Sequence, residues 1–173
     1  NYSVIGIVQS ENKYFSYYAE YIANVSEDLI NWSFAGVDYV IPQDKEQFPG
    51  GVRDPYVAYD PETDRYYSIA LNYVKRVPSE NIYISNLAIG KSMDNSLRKW
   101  NTKHKKVFAE DFVNHDPECP QLMKIGTRWY IFSSIYGRSQ HGVGRLSYWI
   151  GDEHLDPYEV DWTNKEEHFL STE

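Results

Sequence analysis

Apolar and polar positions alternate in short runs along this chain, and each run ends in a cluster of turn-forming residues. Residues 4–9 are apolar and β-branched, Ser10-Glu11-Asn12-Lys13 interrupts them, and residues 14–23 resume the alternation. Residues 52–59 lead into Asp60-Pro61-Glu62-Thr63-Asp64 and then residues 65–73; residues 121–125 lead into Gly126-Thr127 and then residues 128–135. Strand-like runs joined by Gly, Pro, Asn and Asp read as hairpins, because those residues supply the turn geometry and the runs supply a pleated, half-buried surface. A further strand is predicted after each hairpin, over roughly residues 21–25, 82–88 and 145–150.

Two of these third strands are followed by a similar phrase. Ser26-Glu27-Asp28-Leu29-Ile30-Asn31-Trp32 is one copy and Ser92-Met93-Asp94-Asn95-Ser96-Leu97-Arg98-Lys99-Trp100 is the other, with Trp162 marking a degenerate third. A repeat of this length, built from about four short strands, fits a β-propeller blade better than a sandwich. Residues 44–47 and 94–99 could each form one turn of helix, and no long amphipathic helix interrupts the pattern. The expected fold is all-β, made of antiparallel four-stranded sheets, with about two and a half to three blades. Such a set leaves sheet edges open, which favours self-association or a larger protein.

Tyrosine (16) and tryptophan (5) bring the aromatic share to 16%. These residues suit strands, and they also line sugar-binding clefts, where a ring packs on C–H groups. The net charge of −8 argues against a nucleic-acid partner, which needs a basic face. The basic run Lys103-His104-Lys105-Lys106 reads as a solvated loop or strand edge. A single cysteine, Cys119, allows no intrachain disulfide and does not fix the compartment. No apolar run is long enough for a membrane helix. The five histidines lack metal-ligand spacing, so neither metal nor cofactor is expected. The glycines of residues 137–144 read as a loop at a cleft rim.

Candidate chemistry lies in two phrases, Arg53-Asp54-Pro55 and Glu118-Cys119-Pro120, each at the mouth of a predicted hairpin. They offer two carboxylates from similarly built segments, as cleavage of a glycosidic bond requires. By themselves Asp54 reads as a strand-start cap and Glu118 as a solvated strand-end acid. Cys119 alone reads as a small buried apolar residue, and Trp32 and Trp100 as packing residues.

Taken in order, Ser26–Trp32, Arg53-Asp54-Pro55, Pro117-Glu118-Cys119-Pro120-Gln121-Leu122 with Gly126-Thr127-Arg128-Trp129-Tyr130, and Tyr148-Trp149-Ile150-Gly151 resemble glycoside hydrolase family 32, the invertases, levanases and inulinases. The resemblance implies a five-bladed propeller and a retaining mechanism on β-fructofuranosides. It implies Glu118 as general acid/base, Asp54 as transition-state stabiliser, Arg53 as the neighbour that organises these acids, Cys119 as a position beside the acid that tunes its environment, and a carbohydrate as partner. His115 is a further candidate for contact with sugar hydroxyls. The family's nucleophile phrase, Asn-Asp-Pro-Asn-Gly, does not occur in the chain. Residues 1–173 are therefore expected to form a single partial catalytic domain, roughly blades 2 to 4, inactive in isolation. A non-catalytic carbohydrate-binding propeller and a sister five-bladed arabinosidase or xylosidase are the alternatives.

Overall fold

All three predicted hairpins form, and each is extended into a sheet by the strand that follows it. The structure, a computed structural model, describes residues 6–137 and 144–172. The first sheet runs β1 (Ile7–Ser10), β2 (Lys13–Tyr18), β3 (Ile22–Ser26), β4 (Ser33–Phe34). The second runs β5 (Val52–Asp60), β6 (Arg65–Val77), β7 (Ile82–Lys91), β8 (Lys105–Lys106), with β9 (Phe112–Val113) also paired to β7. The third runs β10 (His115–Ile125), β11 (Arg128–Gly137), β12 (Arg145–Ile150), β13 (His168–Thr172). Every pairing is antiparallel.

The hydrophobic alternation places the middle sheet between two cores. From β6, Tyr66 and Ala70 face the first sheet and pack with Phe15, Tyr17, Ala23 and Val57. Tyr67 and Ile69 face the third and pack with Leu122, Trp129, Ile131 and Trp149. A period of two puts neighbouring residues on opposite faces, so a strand covered on both sides reads as continuously apolar. The Lys124 ammonium fastens β10 to the end of β5, 3.0 Å from Asp60 Oδ1 and 2.6 Å from Glu62 Oε2.

The repeated tryptophan phrase occupies one place in each sheet, between the third strand and the fourth. Trp32 Nε1 donates to the Leu29 carbonyl at 3.2 Å and Trp100 Nε1 to the Leu97 carbonyl at 2.9 Å. Trp162 Nε1 donates to the Pro157 carbonyl at 2.8 Å, so the third copy keeps the ring anchor on a different loop.

Departures from expectation are local. β4, β8 and β9 are two residues each, too short to show a period in sequence. Residues 44–47 make a turn closed by Phe48 N–H on the Asp44 carbonyl, and 94–98 make bends. A single turn fixes several residues for one hydrogen bond and does not propagate a helix without more of them. His104 is buried, with its ring edge-on to Tyr21 at 5.5 Å. Burial pushes its pKa down to about 4, against the opposing pull of Asp44. Residues 4–5, expected to begin the first strand, and most of the 137–144 loop lie outside the described residues. Among the described residues no helix is long and apolar enough to cross a membrane.

Candidate functional site

β5 and β10 are the first strands of neighbouring sheets, and both are interrupted at the same place. Asp54 and Pro55 together oppose Ala70 alone, and Cys119 and Pro120 oppose Ser133 alone. Two residues facing one is a β-bulge, and proline is admitted there because it cannot supply a ladder N–H. Asp54 and Cys119 both take positive φ, 52° and 50°. A side chain of the partner strand braces the backbone at each bulge. Asn72 Nδ2 donates to the Ala70 carbonyl at 2.9 Å, and Ser133 Oγ donates to the Glu118 carbonyl at 3.0 Å.

The two bulges are 65 positions apart and touch through their side chains. Arg53 Nη2 donates to Glu118 Oε1 at 3.0 Å and to Asp54 Oδ2 at 3.5 Å. The Cys119 N–H donates to Asp54 Oδ2 at 3.3 Å. One guanidinium nitrogen thus holds both carboxylates, and their nearest oxygens lie no farther apart than those two contacts end to end. The side chains remain accessible, with relative exposure of 32% for Arg53, 13% for Asp54 and 27% for Glu118.

Partial burial works against the charge of Arg53, but Tyr73, Asp54 and Glu118 outweigh it and hold its pKa above the ordinary arginine value. For the Cys119 thiol, desolvation raises the pKa first; the charges of Asp54 and Glu118 add to that rise, and Arg53 opposes it. Cys119 itself is exposed rather than buried, because the bulge turns it out of the sheet.

The structure brings Arg53, Asp54, Glu118 and Cys119 together. His115 begins β10 and is exposed; its carbonyl is 3.2 Å from Ser85 Oγ, and no described contact of its ring joins the cluster. Behind the site stand residues that the sequence did not single out. Arg53 Nη1 donates to the Tyr73 hydroxyl at 3.2 Å, and that hydroxyl donates to Asp116 Oδ2 at 3.1 Å. Tyr73 is one of 16 tyrosines, and Asp116 stands between His115 and Pro117 with no phrase that marks a buried acid. Among the described residues no group of three or more His, Cys, Asp or Glu side chains could hold a metal ion. A cavity of about 620 Å³ lined by Tyr56, Tyr59, Leu122, Met123 and Trp129 lies toward the opposite ends of β5 and β10.

No family model matches the chain, and no curated protein matches it by sequence. Solved structures do match its fold. An endo-arabinase from Bacteroides thetaiotaomicron aligns with a TM-score of 0.69 at 10% identity, over 96% of this chain and 61% of that one. The chain has a β-propeller fold. An α-L-arabinofuranosidase from Lactobacillus brevis aligns with a TM-score of 0.60 at 14% identity, over 94% of this chain and 53% of that one. A Penicillium chrysogenum α-L-arabinanase in complex with arabinobiose gives 0.57 at 10% identity, over 93% and 46%. The chain therefore spans less than two thirds of each of these glycosidases. The names they carry are of arabinan and arabinofuranoside enzymes, the sister group weighed against the fructosidases from sequence.

Proposed function

We propose that this chain carries the acid/base half of a glycosidase site for furanosides, with α-L-arabinofuranosyl linkages as the substrate class. Glu118 protonates the leaving oxygen and later activates water. Asp54 holds sugar hydroxyls and stabilises the positive charge that develops at the anomeric carbon. Arg53 fixes both acids in position. The observation that carries this reading is the Arg53 bridge, which brings an accessible acid from each of two blades onto one cation. Glycoside cleavage needs an acid that protonates the leaving oxygen and negative charge beside the anomeric carbon, and Glu118 and Asp54 are read as the first and part of the second. The three sheets are read as blades of a larger propeller, whose other blades bring the remaining catalytic carboxylate.

A second reading, a β-fructofuranosidase, is favoured by the Glu118-Cys119-Pro120 phrase and by the order of the motifs around it. One experiment separates the two. The intact gene product is assayed on an aryl α-L-arabinofuranoside, on arabino-oligosaccharides and on sucrose. Release of arabinose alone supports the main reading, and release of fructose alone overturns it in favour of the second. Calorimetric binding of either sugar without turnover identifies a binding module and removes the enzyme altogether.

A further inference from the structure

We propose that Tyr73 and Asp116 are positioning residues that hold the Arg53 guanidinium between Asp54 and Glu118. This deepens the reading above, since it assigns the device that aligns the two acids of that site. Asp116 is fully buried and so cannot face a sugar. A carboxylate in that position is costly unless its oxygens are hydrogen-bonded. Its Oδ2 takes the Tyr73 hydroxyl at 3.1 Å, and its Oδ1 lies 3.0 Å from the Ser85 hydroxyl. With its proton turned to Asp116, the Tyr73 oxygen presents lone pairs to Arg53 Nη1 at 3.2 Å. The negative charge of Asp116 therefore orients Tyr73 as an acceptor, and Tyr73 in turn fixes the guanidinium plane.

Tyr73 is itself clamped by backbone. Gly50 N–H donates to the Tyr73 carbonyl at 2.9 Å, and Tyr73 N–H donates to the Gly51 carbonyl at 2.8 Å. A Cβ on Gly50 would stand 2.7 Å from the Tyr73 Cβ, and Gly51 has φ of +95°. Gly50 is therefore required by its close approach to Tyr73, and Gly51 by a backbone conformation that favours glycine. The arrangement leaves one donor nitrogen of Arg53 on the buried side and one on the carboxylates, so the side chain cannot swing to solvent without breaking both.

The chain's single cysteine reports on this arrangement directly, because Cys119 is exposed and adjoins all three charges. Iodoacetamide alkylation of the 173-residue chain is followed from neutral to alkaline pH for the parent, Tyr73→Phe, Asp116→Asn and Arg53→Gln. Loosening Arg53 removes the cation that opposes Asp54 and Glu118. Thiolate formation then moves to higher pH, and alkylation slows about threefold at a fixed pH below the midpoint. Tyr73→Phe is expected to slow it, and to add nothing in an Arg53→Gln background, as members of one unit do. Unchanged reactivity in Tyr73→Phe, or equal slowing with and without Arg53, overturns the proposal. Circular dichroism shows whether Tyr73→Phe is folded; if it is not, Asp116→Asn decides by the same criterion. This readout needs no turnover. Slowed alkylation here, together with an intact gene product that cleaves no furanoside, leaves the positioning device standing and removes the hydrolase reading.

Discussion

Arg53-Asp54-Pro55 on β5 and Glu118-Cys119-Pro120 on β10 share a backbone and differ in every side chain except the proline. Each is a two-against-one bulge with a positive-φ residue before proline, on the first strand of its sheet. Superposed by register, Arg53 takes the place of Glu118, and Asp54 takes the place of Cys119. The two acids therefore occupy different steps of the bulge. That offset is what lets a cation from one blade meet the acid of the next. Had both blades carried an acid at the same step, two like charges would face each other without a partner and raise the cost of the site.

The largest test of this asymmetry removes the acid that has no counterpart on β5. Glu118→Gln keeps the shape and the Arg53 contact but cannot exchange a proton. In the intact protein kcat/KM on an arabinofuranoside with a poor leaving group should fall by about 10²- to 10⁴-fold, the usual weight of general acid–base catalysis. The thermal midpoint should move little, because the side chain is partly exposed. Activity within a few-fold of the parent would detach Glu118 from the chemistry.

A smaller effect compares the two equivalent positions directly. Asp54→Asn withdraws a charge from the developing cation and should cost on the order of 10²-fold in kcat, as loss of one electrostatic contact commonly does. Cys119→Ser at the matching step should cost less than about tenfold, because its role in the site runs through its backbone N–H, which serine retains. Equal losses at both positions would mean that the bulges are chemically interchangeable, and the offset argument would fail.

Much of this is legible in the sequence. Turn chemistry at Asp60–Asp64 and at Gly126-Thr127 located two hairpins, and strand alternation located β12 to the residue. The two X-Pro phrases pointed to the site because proline in a strand-like run signals a bulge or an edge. The outer strands were hidden, since pairs such as Lys105–Lys106 are made by tertiary docking and carry no period of their own. His104 was misplaced for a related reason. Its three lysine neighbours speak for solvent, while the ring that packs on it is Tyr21, from the turn between β2 and β3. Within the site, Arg53, Asp54 and Glu118 could be picked out by local phrase. Tyr73 and Ser85 could not, because their role comes from β6 and β7 lying beside β5 and near β10, a fact of topology and not of spacing.

The smallest effect concerns the backbone that both phrases share. A non-glycine residue at positive φ costs about 1–2 kcal/mol, and glycine removes that strain. Glycine also loosens the unfolded chain, which takes back about 0.5–1 kcal/mol. At Cys119 the side chain is exposed and makes no described hydrogen bond, so relief should win. Cys119→Gly is expected to raise stability by about 0.5–1 kcal/mol, visible as a few degrees in the thermal midpoint. At Asp54 the same change removes the acceptor for Cys119 N–H and a partner of Arg53, so Asp54→Gly should lower the midpoint instead. Opposite signs at two positions of matching φ would show that the strain on β5 is retained for its carboxylate. A destabilised Cys119→Gly would show that the thiol side chain stabilises the β10 bulge and that the two sites are alike in this respect.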